Sequence, residues 1–193
     1  PDPPEKRGRG LQGRKARTFV KWAGSKVGVM DQLLRFVPQQ FGTYYEPMVG
    51  GGTVFFTLRP SRAVLGDVNE ELMTCHEVIR DRVGELCRAL EQHRNTREHY
   101  LMVRGQQPGD LSPVQRAARL IYLNKTCYNG LFRVNREGHF NVPYGYIGHA
   151  NFLDFETLLR LNRILQGVTL CSRRWAGVCM RSAMASNVWA AAC

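Results

Sequence analysis

A strand signal, a glycine-rich loop and a helix signal follow one another over residues 44–58 and constrain the fold more than any other part of the chain. Residues 44–46 predict a short strand, residues 47–53 a loop with three consecutive glycines, and residues 54–58 the start of a helix. Residues 63–67 predict a second strand. Strands that alternate with helices in this way predict an α/β fold with a parallel sheet.

The glycine loop and the acid that follows the next strand indicate a nucleoside site. The loop Glu46-Pro47-Met48-Val49-Gly50-Gly51-Gly52 places bare backbone where a nucleoside can approach closely. Asp67 lies 21 residues after Glu46, where its carboxylate can accept hydrogen bonds from both hydroxyl groups of a ribose. The spacing is not G-x-G-x-x-G, which disfavours a nicotinamide cofactor. A glycine triplet alone can also be an ordinary turn, and the position of Asp67 favours the nucleoside site over that alternative.

Residues 21–26, Lys-Trp-Ala-Gly-Ser-Lys, form a second candidate binding segment. Trp22 could stack on an adenine or on a methionine group, and Lys26 could meet a carboxylate at the start of the next predicted helix. The alternative is a tryptophan of the core and a solvated lysine.

The rest of the chain continues the alternation of helices and strands. Predicted helices lie at residues 26–37, 69–79, 82–105, 112–124 and 153–165, and a third strand lies at residues 168–170. Asn69 and Ser112 are the expected N-cap residues of two of these helices, and Gln115 can reach back to complete a capping box at Ser112.

Residues 123–145 combine aromatic, amide and arginine side chains around Gly130. A packed core does not require that mixture, whereas a nucleic-acid-binding ribbon uses exposed stacking and hydrogen-bonding groups. Residues 132–142 predict a β-hairpin because apolar residues alternate on both arms, with turn residues at 135–138. The alternative is a solvated, charged hairpin without a partner.

The formal net charge of +11 and the pI near 9.8 favour a polyanionic partner, either nucleic acid or an anionic membrane surface. No apolar run approaches the ~20 residues of a membrane helix, and no signal peptide is expected. Residues 1–17 are basic and rich in proline and glycine, so they are expected to form a disordered arm. That arm is either a solvated tail or an extra contact with phosphate.

The cysteines and histidines do not predict a metal site. Six cysteines are scattered without a Cys-x-x-Cys pair, and the five histidines lack ligand spacing. The cysteines are expected to be reduced and mostly buried thiols of a cytosolic protein. His76 and His139 are expected to lie at the surface or behind a site rather than to bind a metal.

Four motifs in order resemble those of Dam-type (D12 class) DNA adenine-N6 methyltransferases. Residues 19–26 resemble the methionine-pocket motif of that family, residues 45–56 its S-adenosylmethionine loop, residues 65–69 its ribose-binding motif, and residues 119–145 its recognition helix and hairpin. Together they cover about residues 18–165. The resemblance implies S-adenosylmethionine as the cofactor, and the expected binding residues are Trp22, Lys26, Glu46, Pro47, Gly50, Gly52 and Asp67.

In this family the hairpin region enters duplex DNA, often at a GATC site. The resemblance implies the DNA-binding residues Tyr128, Asn129, Leu131, Arg133 and Arg136. The first three are expected to support an extruded adenine or fill the space near it, because the amino group is otherwise held in the base stack. Arg133 is expected to read a guanine edge, a contact worth ~1–3 kcal/mol of discrimination.

The chain departs from the family pattern at two places. Residues 146–149, Tyr-Ile-Gly-His, lack the basic residue that some relatives carry there. The Asp-Pro-Pro-Tyr sequence, which holds the adenine amino group and stacks on the base in this family, does not occur. The strand that would carry it is expected at residues 186–189, and residues 190–193 read Ala-Ala-Ala-Cys. We therefore assign no catalytic residue and expect a truncated or frameshifted member with little or no activity alone.

The expected fold is an α/β, Rossmann-like sheet of an S-adenosylmethionine-dependent methyltransferase, with an inserted helical and β-hairpin target-recognition lobe. The sheet domain is expected at residues 18–75 and 155–193, and the lobe at residues 76–154. The expected function is methyl transfer from S-adenosylmethionine to N6 of adenine in duplex DNA. The alternatives are a non-catalytic module that binds DNA and S-adenosylmethionine, and a nicotinamide-dependent oxidoreductase. The protein is expected to be a monomer that is located in a bacterial or phage-type cytoplasm. Its expected partner is double-stranded DNA, and neither a bound metal nor association with a membrane is expected.

Overall fold

A small parallel sheet organises the protein. The computed structural model describes residues 16–171 and the backbone of residues 189–190. Within that part of the chain, the sheet has the order β3-β2-β1-β4, formed by β1 Tyr44–Glu46, β2 Ala63–Gly66, β3 Thr169–Cys171 and β4 Trp189–Ala190. All three strand pairs are parallel, so the carboxyl ends of the strands meet at one edge. The predicted α/β fold with a parallel sheet is confirmed for these residues.

Helices connect and cover the strands. They are α1 Met30–Phe36, α2 Thr53–Leu58, α3 Glu70–Asp81, α4 Val83–Glu91, α5 Arg97–Gly105, α6 Pro113–Thr126 and α7 Phe155–Leu165. Short 3-10 turns lie at Lys26–Val29, Pro108–Asp110 and Tyr128–Gly130. Among the described residues, no helix is long and apolar enough to cross a membrane.

Side-chain caps set several helix starts, as the sequence predicts. The Asn69 side chain accepts the backbone N–H of Leu72 at 3.1 Å and starts α3. Ser112 and Gln115 exchange two hydrogen bonds, at 3.3 and 3.0 Å, and form the predicted capping box of α6. Each such cap stabilises a helix by about 1 kcal/mol.

The predicted helices that became α3 and α6 end two residues later than predicted, and the other three differ at their starts or are interrupted. The predicted helix over residues 26–37 is a 3-10 turn followed by α1, because Val29 has non-helical φ and ψ of −112° and 8°. The predicted helix over residues 82–105 is two helices, since Thr96 caps a new start at α5 by accepting the N–H of His99. In α7, Asp154 is the N-cap, so the helix begins two residues later than predicted.

Two hydrophobic clusters form the interior and share α6. The first cluster surrounds the sheet and includes buried residues of α2, α3, α4, α6 and α7. The second cluster consists of Tyr100, Val103, Tyr122, Leu123, Cys127, Phe140, Val142 and Phe152. Because Leu120 and Ile121 belong to the first cluster and Tyr122 and Leu123 to the second, α6 is the wall between them. The division into a sheet domain and a lobe at residues 76 and 154 stays a prediction.

The predicted hairpin at residues 132–142 is shorter and less regular than a pair of strands. Its arms meet in one antiparallel bridge between Val134 and Phe140. The Asn135 side-chain oxygen accepts the backbone N–H groups of Glu137 and His139, at 3.0 and 2.9 Å. These two N–H groups bind the Asn135 side chain and are therefore not available for a longer ladder of backbone hydrogen bonds between the arms.

The ends of the described chain bear on two further predictions. Ala16 is buried in the first cluster, and the Arg17 carbonyl accepts a hydrogen bond from Arg160. The disordered arm expected at residues 1–17 stays a prediction. Residues 1–15, the rest of that arm, lie outside the described residues. The predicted strand at residues 186–189 meets β4 at Trp189, and its other residues also lie outside them.

Candidate functional site

A cleft of about 270 Å³ opens at the carboxyl ends of β1 and β2. Ligands of open α/β sheets bind at this edge. The cleft brings together five of the seven residues predicted to bind the cofactor: Trp22, Lys26, Glu46, Gly50 and Asp67. Its other lining residues are Ala23, Gly24, Ser25, Met48, Val49, Gly51, Thr53, Val54 and Val68. Pro47 and Gly52 do not line it.

Asp67 directly follows β2 and holds two backbone groups. Its Oδ2 accepts the N–H of Gly50 and its Oδ1 accepts the N–H of Asn69, both at 2.9 Å. An ionised carboxylate has about four acceptor sites, so acceptor capacity remains for a ligand in the cleft. The side chain is therefore fixed in place and still able to bind hydroxyl groups.

Gly50 is fixed from three sides. It has a positive φ of 52°, and a Cβ here would lie 3.1 Å from the Trp22 ring. Its N–H donates to Asp67, and its carbonyl accepts a hydrogen bond of 2.9 Å from His76 Nε2. Glycine is the residue that combines this conformation with such a close aromatic neighbour.

His76 is fully buried behind the loop, which is one of the two positions, at the surface or behind a site, that the sequence left open. Burial lowers the pKa of His76 to about 4, so the ring is neutral near pH 7. Because a carbonyl only accepts, Nε2 carries the proton and donates it to Gly50. His76 therefore supports the loop from behind, the second role that the sequence allowed it. His139 is exposed.

Gly52 and Pro47, the two predicted residues outside the cleft lining, lie in the same loop. Gly52 precedes α2 with a φ of 77°, and a Cβ there would lie 2.5 Å from the Phe56 ring. Beside Pro47, the Val49 N–H donates to the Gly66 carbonyl at 2.8 Å and ties the loop to β2. Gly52 therefore acts on the backbone path of the loop rather than on the cleft surface.

Glu46 lies at the end of β1 and is nearly inaccessible, with 6% of its surface exposed. Burial raises its pKa to about 7, while the hydroxyl of Tyr44, which donates to Oε2 at 2.8 Å, opposes that shift. The charge of Lys26 acts in the same direction as Tyr44. Glu46 is thus a buried acid at the cleft whose charge changes near neutral pH.

Trp22 and Lys26 come from the segment that precedes α1. The Trp22 ring is half-buried and packs against Phe132, with ring centroids 5.0 Å apart. The Lys26 ammonium donates to the Gly24 carbonyl at 3.0 Å. Ser25 and Thr53 share a hydrogen bond of 3.1 Å, which attaches this segment to the start of α2.

All five predicted DNA-binding residues are exposed. Tyr128 and Asn129 lie in the 3-10 turn after α6, and Asn129 has a φ of 55°. Leu131 follows this turn. Arg133 lies on the first arm of the hairpin, where its Nε donates to Asn141 Oδ1 at 2.7 Å, and Arg136 lies in the turn.

The segment at residues 143–145, which returns from the hairpin, holds the 3-10 turn in place. The Tyr128 N–H donates to the Pro143 carbonyl at 2.9 Å, and the Gly145 N–H donates to the Thr126 carbonyl at 2.8 Å. A Cβ at Gly145 would lie 2.5 Å from the Cys127 carbonyl oxygen, so the aromatic-glycine exit allows this close approach. The end of α6, the 3-10 turn and the return segment therefore form one packed unit.

Asn124 connects the turn to the cleft, and sequence reasoning gave it no role. Its Oδ1 accepts the N–H of Lys21 at 2.8 Å, and its Nδ2 donates to the carbonyls of Lys21 and Gly130, both at 2.9 Å. Lys21 and Asn124 are 103 positions apart, and no spacing rule joins them. Only its position on the inner face of α6 could have marked Asn124 as buried.

No group of three or more potential metal ligands lies together within residues 16–171. Three of the cysteines in this part of the chain, Cys75, Cys127 and Cys171, are buried, in keeping with a packing role.

The parallel sheet and the cleft at its carboxyl edge define an α/β protein with a candidate ligand site between the glycine loop and the acid after β2. Residues 22–169 match the family model of the D12 class N6 adenine-specific DNA methyltransferases. The chain belongs to this family.

Curated relatives agree with this family. The chain is 35% identical to the Type II methyltransferase M1.LlaDCHI of Lactococcus lactis subsp. cremoris, over 77% of the chain and 55% of that protein. It is 35% identical to the Type II methyltransferase M.MjaIII of Methanocaldococcus jannaschii, over 80% and 61%. It is 36% identical to the DNA adenine methylase of Escherichia coli K12, over 68% and 49%. The chain thus spans about half the length of the relatives it matches.

Proposed function

We propose that this chain binds S-adenosylmethionine in the cleft and duplex DNA at the exposed turn and hairpin, as part of a methyltransferase that acts on N6 of adenine. The observation that carries the proposal is the contact between the two regions. Trp22 lines the cleft, and its ring packs against Phe132 at the base of the hairpin. A ligand in the cleft and a base held at the turn would therefore lie near one another.

The cleft has the chemistry that S-adenosylmethionine requires. Its volume of about 270 Å³ is close to the lower end of the ~300–1,000 Å³ range of small-molecule sites. Asp67 offers acceptors for ribose hydroxyls, and Lys26 offers a cation for the carboxylate of the methionine part. Met48 and Val68 are exposed and line the cleft, so they offer apolar surface to a purine. The bound cofactor supplies an electrophilic methyl group.

The exposed turn has the chemistry that an extruded base requires. Tyr128 and Leu131 are 55% and 47% exposed, so both side chains are available for stacking on a base and for filling the space that it leaves. Arg133 is held by Asn141 on the hairpin, where it can present its guanidinium to a guanine edge. The net charge of +11 favours the phosphate backbone. We propose a GATC-like site.

A second candidate function is binding of DNA and S-adenosylmethionine without catalysis. It is favoured by one observation: the 193 residues contain no Asp-Pro-Pro-Tyr sequence. The adenine amino group is a weak nucleophile because its lone pair is delocalised into the ring, and nothing in the described cleft is assigned to polarise it. We therefore expect transfer by this chain alone to be slow or absent.

Calorimetric titration with S-adenosylmethionine and with NAD tests the cleft. Binding of the first and not of the second supports the proposal, whereas no binding of S-adenosylmethionine overturns it. Titration with a GATC duplex and with a shuffled duplex then tests the DNA site. Incubation of the protein with the GATC duplex and S-adenosylmethionine that carries a tritium-labelled methyl group separates the two candidate functions. Labelled DNA indicates a methyltransferase, and binding of both ligands without labelled DNA indicates a binding module.

A further inference from the structure

We infer that Asn124 is a positioning residue that couples occupancy of the cleft to the conformation of the DNA-facing turn. The inference rests on the proposed function and goes beyond it, because it assigns a residue that contacts neither ligand. Asn124 lies in α6, the helix shared by both hydrophobic clusters. Its side chain is the direct link between the backbone of the cleft segment and the backbone of the turn.

The Asn124 amide is buried, and its oxygen and both of its hydrogens have partners. Only 1% of the residue is exposed. Oδ1 accepts from Lys21, and the two hydrogens of Nδ2 go to the carbonyls of Lys21 and Gly130. The reverse orientation of the amide would place oxygen against two carbonyls, so the network has one arrangement. A buried amide of this kind fixes its partners because unpaired polar groups are costly to leave in the interior.

The first partner leads directly to the cleft. Lys21 precedes Trp22, and both backbone polar groups of Lys21 are held by Asn124. The Trp22 ring lies between Gly50, where a Cβ would be 3.1 Å away, and Phe132, at 5.0 Å between ring centroids. A ligand that packs on Trp22 therefore restrains the backbone that Asn124 holds.

The second partner leads directly to the turn. Gly130 has a φ of 66°, and a Cβ there would lie 2.6 Å from Lys21 Cδ. Gly130 separates the exposed Asn129 from the exposed Leu131, both proposed to meet DNA. Movement of the Lys21 backbone must therefore move this turn or break the Asn124 hydrogen bonds. A ligand that orders one site also restrains the other site, so the second ligand loses less conformational entropy when it binds. The result is positive cooperativity between the two ligands.

Coupling is measured as the ratio of the Kd for S-adenosylmethionine without DNA to the Kd with a saturating duplex. By linkage, the same ratio describes the effect of S-adenosylmethionine on DNA binding. For the full wild-type chain we expect a ratio of at least about 5. Asn124→Ala should bring the ratio below about 2 while each ligand still binds alone.

The control variant is Asn162→Ala. Asn162 is also a helical asparagine whose Nδ2 bridges two backbone carbonyls, those of Ile79 and Arg80, and it lies outside the cleft and the turn. It should lower the melting temperature, as Asn124→Ala does, and leave the coupling ratio at the wild-type value. A purely structural role for Asn124 predicts the same ratio in both variants, and that result would overturn the inference.

Two further outcomes separate this inference from the proposed function. If wild type binds both ligands with a ratio near 1, the inference fails and the proposed function stands. If wild type binds no S-adenosylmethionine, both fail. Should Asn124→Ala not fold, hydrogen exchange of wild type decides: S-adenosylmethionine without DNA should slow exchange at residues 127–133, and unchanged exchange there would overturn the coupling.

Discussion

The carboxylate of Asp67 accepts the backbone N–H of Gly50 at 2.9 Å, so the acid that follows β2 holds the glycine loop that follows β1. Its other oxygen accepts the N–H of Asn69, the N-cap residue of α3. The loop, the acid and the helix start are thereby joined at one side chain. A change at Asp67 acts on the proposed ribose contact and on the shape of the loop together.

Asp67→Asn should weaken binding of S-adenosylmethionine by roughly 10–100-fold, since a hydrogen bond to a charged group contributes ~1.5–3 kcal/mol. The amide nitrogen cannot accept, so one of the two backbone N–H groups also loses its partner. Calorimetric titration measures the affinity. Asp110→Asn, an exposed acid in a 3-10 turn, is the control and should bind as wild type does. Unchanged affinity in a folded Asp67→Asn protein would exclude the proposed ribose contact.

Two glycine-to-alanine substitutions should have opposite effects on stability. Gly52→Ala forces alanine to a φ of 77° and places its Cβ 2.5 Å from the Phe56 ring, so it should lower the free energy of unfolding by about 2–4 kcal/mol. Gly84→Ala lies in α4 with no atom within 4 Å of the new Cβ, so it should raise that free energy by about 0.5–1 kcal/mol. Urea unfolding measures both, and equal effects would contradict the loop geometry.

Glu46 should give the protein a distinct pH dependence. Burial raises the pKa of Glu46 from 4.5 to about 7, so the folded protein holds a proton that the unfolded chain has lost between these values. The free energy of unfolding contributed by Glu46 therefore falls as the pH rises from about 4.5 to about 7. Glu46→Gln removes this loss, and relative to wild type the variant should gain up to about 3 kcal/mol across that range.

Urea unfolding of wild type and Glu46→Gln at pH 5, 6, 7 and 8 measures the difference. His76 acts in the opposite sense, because its lowered pKa of about 4 makes stability fall as the pH drops below about 6.5. Since His76 is present in both proteins, the difference between the curves isolates Glu46. Glu91→Gln, at an exposed position of α4, is the control. Parallel curves for Glu46→Gln and wild type would show that Glu46 keeps an ordinary pKa.

Local signals made much of the fold predictable. The caps at Asn69 and Ser112 each join a side chain to a backbone N–H three residues away, so the local sequence is enough to predict them. The two strands around the glycine loop follow from short apolar segments bounded by turn residues. The same order placed Glu46, Gly50 and Asp67 at one edge of the sheet, where the structure has the cleft.

Contacts between distant segments were not predictable in this way. His76 could have been recognised as buried, since it follows Leu72 and Met73 by four and three positions on the inner face of α3. Its bond to Gly50, across 26 positions, has no sequence period. The irregular hairpin has the same cause at shorter range, because the Asn135 side chain competes with a backbone ladder that the alternation of apolar residues favours.

Arg133 and Arg136 lie three residues apart in the hairpin region, and they should differ in what they contribute to DNA binding. Arg133 is oriented by Asn141, through Oδ1 at 2.7 Å and the carbonyl at 3.4 Å. A guanidinium held in this way can present a fixed edge to a base, as bidentate recognition of guanine requires. Arg136 lies in the turn as an exposed cation, which suits contact with phosphate.

We compare the affinity for a GATC duplex with the affinity for a duplex in which another base replaces the guanine. Arg133→Ala should lower the ratio of these two affinities roughly 5–150-fold, which is equivalent to ~1–3 kcal/mol. Arg136→Ala should weaken binding to both duplexes by the same factor and reduce the slope of log K against log salt by about 1. Fluorescence anisotropy at several salt concentrations measures both quantities. If Arg133→Ala weakened both duplexes equally, its role would be electrostatic, and base reading would have to come from other side chains of the turn.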